Sequence, residues 1–164
     1  MNTKLLTWLE NLRTAPFVLF GFLAYFLISF IVGIVMISAG MSSNQIDSEI
    51  SYWYIFLAIT IAPVAETYFF QKLPIEFLEK RIKSVAVVIL ISAALFGILH
   101  LKGFFVVIQG IVMGTIFAAA YIVHRKNHGA KRAFWAVAII HSLANILPLT
   151  LRILSGVYDK ISIV

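Results

Sequence analysis

Apolar residues gather into five long runs, 16–40, 51–71, 84–101, 104–123 and 133–151, separated by short polar links. Each run holds at least 18 residues, close to what a helix needs to cross a hydrocarbon core ~30 Å thick at 1.5 Å per residue. None shows the two-residue alternation of a membrane β-barrel strand. A segment in lipid must satisfy its own backbone N–H and C=O groups, which a helix does. The pattern therefore predicts an all-α integral membrane bundle of about five transmembrane helices. Residues 1–50 read as a polar lead and first anchor, 51–151 as the functional bundle and 152–164 as a tail.

The links refine this picture. Leu5, Leu6, Trp8, Leu9 and Leu12 fall at roughly helical spacing, so the lead is expected to lie on the membrane surface. Pro16 suits the first turn of a helix. The run 16–40 is too long for the ~7–15 residue core of a signal peptide and is expected to be a retained anchor. Tyr52, Trp53 and Tyr54 form an interfacial aromatic belt. Pro74 is expected to kink or break the helix after the second run. Gly110 and Gly114 make a small-xxx-small pair that lets a neighbouring helix come close. His124 and His128, in or beside the basic link 124–132, are expected to be solvated.

Composition agrees with a bilayer as solvent and partner. Of 164 residues, 62% are hydrophobic, and the mean hydropathy is +1.00, more apolar surface than a soluble domain of this size could hide. Cysteine is absent, which excludes disulfides, iron–sulfur clusters and a thiol nucleophile. The net charge of +6 does not point to nucleic acid, because Lys and Arg sit almost wholly in the links. Alternating the links across the bilayer puts ten Lys and Arg on one side and three on the other. The positive-inside rule then predicts a multi-pass cell-membrane protein with a cytoplasmic N-terminus.

Among Asp, Glu, Lys, Arg and His, the five runs contain only Glu66, His100 and His141. An ionisable group at bilayer depth costs ~3 kcal/mol or more, so by default it marks a functional site facing the protein interior. His141 and Asn145 are four apart and share a helix face, as do Phe96 and His100. A buried glutamate beside imidazoles suits hydrolysis by an activated water. Glu66 is the expected base, with His100 helping to hold the water and His141 and Asn145 stabilising an oxyanion. The adjacent Ser142 would point about 100° from His141 on a helix and is not a convincing nucleophile.

Zinc is the rival reading, with Glu66, His100 and His141 as ligands. No His-Glu-x-x-His spacing is present, and no cofactor is expected to be required. Each group also has a structural reading. Glu66 would be a protonated acid bonding across helices, His100 an interfacial histidine, and His141 with Asn145 polar glue between helices.

Glu66-Thr67-Tyr68-Phe69-Phe70-Gln71, Phe96-Gly97-Ile98-Leu99-His100 and His141-Ser142-Leu143-Ala144-Asn145 together resemble the CPBP family of intramembrane proteases. This family includes the type II CAAX prenyl endopeptidases and the bacteriocin-processing and immunity (Abi) proteins. It shows Glu-Glu-x-x-x-Arg, Phe-x-x-x-His and His-x-x-x-Asn/Asp on successive membrane helices, and Ala62-Pro63 before the glutamate also looks like it. The resemblance covers roughly residues 51–151 and implies catalytic roles for Glu66, His100, His141 and Asn145. The first motif departs from the family, with Thr67 in place of the second glutamate and Gln71 in place of the arginine. Losing one ion-pair partner would strand a charge, whereas losing both is tolerable. A Thr67–Gln71 hydrogen bond is expected in its place, with both residues, like Phe96, supporting the site rather than reacting.

The sequence therefore predicts an endopeptidase acting on a membrane-associated peptide or protein. The alternatives are a non-catalytic immunity factor or membrane scaffold, and a proton-coupled carrier, which the lack of repeat symmetry disfavours. One difficulty is depth. Counted from the cytoplasmic ends of their runs, Glu66, His141 and His100 lie ~9, ~14 and ~25 Å deep on straight helices. Tilt, a break near Pro63, or a third helix entering the bilayer late would bring them together.

Overall fold

The computed structural model describes residues 3–40, 51–99 and 103–161. Helix α1 (Thr3–Asn11) is followed by α2 (Thr14–Ser38), with Pro16 in its first turn. Helix α3 runs unbroken through Tyr52–Leu78. Ser51 caps it by accepting from the Tyr54 N–H at 3.1 Å, which satisfies one of the donors orphaned at any helix start. Helix α4 (Val85–Ile98) has 14 residues. Phe104–Ile161 is helical except at Gly129, whose φ of 80° and ψ of 163° separate α5 (104–128) from α6 (130–161). Phe117 and His141 lie equally far from Gly129 in sequence, and their rings are 4.7 Å apart. The two arms therefore fold back on each other as an antiparallel hairpin.

Thr14–Ser38, Tyr52–Leu78 and Phe104–Thr150 are long and apolar enough to cross a membrane, and the last does so as a hairpin. Val85–Ile98 is a shorter apolar helix. At 1.5 Å per residue it is ~21 Å long, less than the ~30 Å of a hydrocarbon core. The protein is an all-α membrane bundle, as the hydrophobic pattern predicts.

Pro74 does not break α3. Ahead of each proline the helix opens into a wide turn with i→i+5 bonding, Leu57–Ile61 before Pro63 and Thr67–Lys72 before Pro74. The opening makes room where the proline ring would strike the carbonyl four residues back. It also aligns a face. Pro63, Thr67, Gln71 and Ile75 are all buried, and their strict four-residue spacing would overrun an α turn by about 40° per step. The wide turns absorb that drift and keep the row against the bundle.

The core is built where α2, α3 and α4 meet the α5–α6 hairpin, around Tyr25, Ile75, Val88, Phe96, Phe117, Tyr121, Val137 and Ile140. The outer face of α2, including Leu19, Phe30 and Ile37, is exposed, as a lipid-facing anchor requires. Helix α1 lies against the hairpin. Lys126 Nζ donates to both Glu10 carboxylate oxygens at 2.9 Å, and Asn127 Nδ2 donates to Asn11 Oδ1 at 3.1 Å.

His124, expected to be solvated, is fully buried. It stacks on Phe17 at 4.2 Å, and its Nε2 lies 3.2 Å from Thr14 Oγ1. The reason is that α5 continues to residue 128, so the start of α2 covers what the hydrophobic pattern assigns to a link.

Close approach between α4 and α5 depends on glycine. A Cβ on Gly97 would lie 2.8 Å from the Ile111 nitrogen and 2.9 Å from the Val107 oxygen. On Gly114 it would lie 2.9 Å from Ala93 Cα. Backbone cannot give way as a side-chain tip can. Gly97→Ala and Gly114→Ala are therefore each expected to destabilise the bundle by about 1–3 kcal/mol. Gly33→Ala, with nothing within 4 Å, should be neutral or better. Thermal unfolding in detergent micelles checks all three.

Candidate active site

Glu66 and His141 come together although they are 75 residues apart in sequence. Glu66 Oε2 lies 3.5 Å from His141 Nε2, with the histidine side chain 5% exposed and the glutamate side chain 28% exposed. Glu66 projects beside the buried row of α3 rather than within it, so its carboxylate reaches a cavity. The imidazole is held from behind by aromatic rings. Phe117 of α5 lies at 4.7 Å and Phe96 of α4 edge-on at 5.4 Å. Ring packing on two sides fixes the imidazole plane, and so the direction in which Nε2 points.

The pair opens into a cavity of about 770 Å³ whose polar lining includes Glu66, His141 and Asn145. Leu57, Phe70, Leu99, Val106 and Leu149 give it apolar walls, and Tyr54 also lines it. Few polar groups converging in an apolar concavity is the usual form of a ligand site. Two surface grooves lie elsewhere, one lined by Glu76, Glu79 and Arg125 and one along α1, and neither lining contains a histidine.

Asn145 lies one turn beyond His141 on α6, and its Nδ2 donates to the Ala58 carbonyl at 2.8 Å. An amide has two N–H donors, so this bond leaves a second for the cavity. His100 lies outside the described residues. Leu99, its neighbour in sequence, lines the cavity, and Phe96, one turn earlier, touches His141. The short α4 thus ends at the level of the pair. Among the described residues, no three His, Cys, Asp or Glu side chains gather as a metal cluster. Glu66 and His141 supply two donors where a catalytic zinc site uses three protein ligands; the third of the expected set, His100, is outside the description.

The sequence model described as type II CAAX prenyl endopeptidase Rce1-like matches residues 48–147, well over half of the chain and the whole of the bundle that builds this cavity. The chain belongs to this family of CPBP intramembrane proteases. Comparison with curated proteins and with solved structures finds no match.

Membership sharpens the departure at Thr67 and Gln71. Both are fully buried, in the stretch where α3 packs on the hairpin. The hydrogen bond expected between them is not formed. Among the described residues, neither Thr67 Oγ1 nor the Gln71 amide has a partner. They sit in the second wide turn, whose i→i+5 register changes the spacing between residues four apart from that of an α-helix. Hydrophobic patterning also passes over Ser92, which is fully buried and donates its hydroxyl to the Phe70 carbonyl. A serine in the middle of an otherwise apolar stretch is the available signal. Tyr121, likewise buried, donates to Glu76 Oε1 at 2.6 Å.

Thr67→Val keeps the shape and deletes an unmatched hydroxyl, so it is expected to stabilise the protein by about 1 kcal/mol. Gln71→Arg alone places a cation on this face without the family's glutamate and is expected to cost about 3–5 kcal/mol. Midpoints of unfolding in detergent, compared with the parent, check both signs.

Proposed function

We propose that this protein is an intramembrane endopeptidase that hydrolyses a peptide bond in a membrane-associated peptide or protein. The observation that carries the reading is the Glu66–His141 pair, 3.5 Å apart, in a cavity of a chain whose family is proteolytic by description. A carboxylate in such a site is a competent proton acceptor, and a neighbouring imidazole shares the proton it takes. Glu66 removes a proton from water as the water attacks the peptide carbonyl, and His141 stabilises the protonated pair. In this scheme the second N–H of Asn145 donates to the oxyanion. His100 keeps the water-holding role that the sequence gives it. When the tetrahedral intermediate collapses, the proton passes to the leaving amine.

The apolar walls suit a substrate whose residues near the scissile bond are themselves apolar, such as a leader or precursor peptide lying in the bilayer. The distribution of Lys and Arg supports a cytoplasmic N-terminus in a multi-pass cell-membrane protein. Water and the substrate's own atoms suffice for this scheme, so we propose no cofactor. The neutral Thr67 and Gln71 favour a second reading, a non-catalytic relative that binds a peptide in the same cavity as an immunity factor or scaffold.

Glu66→Gln separates the two. It keeps the shape and removes the base, so kcat on a peptide library in proteoliposomes is expected to fall by about 10²–10⁴-fold with the unfolding midpoint little changed. Processing that survives the substitution would sink the protease mechanism, and retained peptide binding without cleavage in the parent would favour the scaffold.

A further inference from the structure

The two wide turns of α3 bracket Glu66, one at Leu57–Ile61 and the other at Thr67–Lys72. In the first, the Ala62 N–H donates to Leu57 O; an ordinary α turn would have given it to Ala58 O. In the wide register Ala58 O would accept from residue 63, which is proline and has no N–H. Ala58 O therefore has no donor in either register of its own helix. Asn145 Nδ2, on α6, donates to it at 2.8 Å.

The second turn differs in one step. The Leu73 N–H donates to Tyr68 O. Residue 74, whose N–H would serve Phe70 O in α register, is again proline, and the Ser92 hydroxyl, on α4, donates to Phe70 O. A carbonyl without a donor in an apolar interior is costly, so the Asn145 contact stabilises the first wide turn and the Ser92 contact satisfies the carbonyl that Pro74 leaves open.

We propose that Asn145 and Ser92 are positioning residues, Asn145 holding the carbonyl released by the first wide turn and Ser92 the one released by Pro74, and that these two ties fix the rotation at which α3 presents Glu66 to His141. A wide turn inserts one residue into the ladder. Closing either one would rotate the helix beyond it by about 100°, and with α3 packed at both ends the carboxylate would leave the cavity. The inference rests on Glu66 acting as the base and gives Asn145 a task separate from oxyanion binding. Ser92 acquires a role that no motif assigns.

The test restores the missing backbone donor. Asn145→Ala is expected to lower the unfolding temperature by roughly 3–8 °C and kcat on the order of 100-fold with KM little changed. Adding Pro63→Ala returns an N–H opposite Ala58 O, so the Pro63→Ala/Asn145→Ala double variant should recover most of the lost stability and the parent's rate of Glu66 labelling by a hydrophobic carbodiimide, while the share of kcat that oxyanion binding supplies stays lost. Ser92→Ala, compared with Ser92→Thr, which keeps the hydroxyl, gives the matching comparison for Phe70 O and carries the test if Asn145→Ala fails to fold. A double variant that recovers neither stability nor the labelling rate overturns the inference. One that recovers stability but not the labelling rate also overturns it, leaving Asn145 with its oxyanion task alone. If the parent cleaves no peptide, the protease reading fails separately. Positioning is then read from the rate at which a hydrophobic carbodiimide labels Glu66. A rate changed by Asn145→Ala and restored by Pro63→Ala supports the inference, and one constant rate across the series overturns it.

Discussion

The backbone ladder of α3 is opened on both sides of one glutamate, and the rest of the bundle is arranged to tolerate those openings. A transmembrane helix ordinarily satisfies every N–H and C=O within itself. Here two prolines, each preceded by an i→i+5 turn, make that impossible. The released carbonyls can be left only where other helices bring polar side chains to them. Asn145 and Ser92 are those side chains, and α4 and α6 pack on α3 in the registers that deliver them.

The site follows from the same constraint. The wide turns keep Pro63, Thr67, Gln71 and Ile75 against the bundle, so Glu66, next in sequence to Thr67, opens sideways into the cavity. His141 meets it because α5 and α6 form a hairpin about Gly129 that sets Phe117 behind the imidazole. Glycine at 97 and 114 lets α4 approach closely enough for Phe96 to complete the ring packing. A polar fringe at the other end of α3, with Tyr121 to Glu76 and Arg125 to Glu79 just past its last turn, ties it to α5, and Lys72 to Glu76 braces the helix itself. Partly exposed pairs of this kind contribute little stability individually, but they fix register where the apolar surfaces alone would slide.

Much of this was legible from residues alone. Five apolar runs define the helices because lipid imposes a length and forbids unpaired backbone. The scarcity of ionisable groups within those runs singles out Glu66, His100 and His141. What was not legible is instructive at particular positions. Pro74 reads as a helix breaker because local rules assume an α register, and the wide turn changes the register. His124 reads as solvated because a basic link looks like a loop, whereas the helix extends through it and α2 covers it. Thr67 and Gln71 read as a hydrogen-bonded pair because i and i+4 are neighbours on an α-helix, and here they are not on one.

The sequence by itself determined the class of protein, its helical character and which ionisable residues, Glu66, His100 and His141, lie within the apolar runs, since hydropathy and charge are properties of covalent structure and of transfer to lipid. Only the tertiary structure decided that Glu66 and His141 face each other, that a short α4 ends at their level, and that Asn145 and Ser92 meet carbonyls on α3. Those facts depend on which register the helix adopts and on which donor lies within about 3 Å of which acceptor. Such distances are set by helices packing against one another, and no single run of residues encodes them.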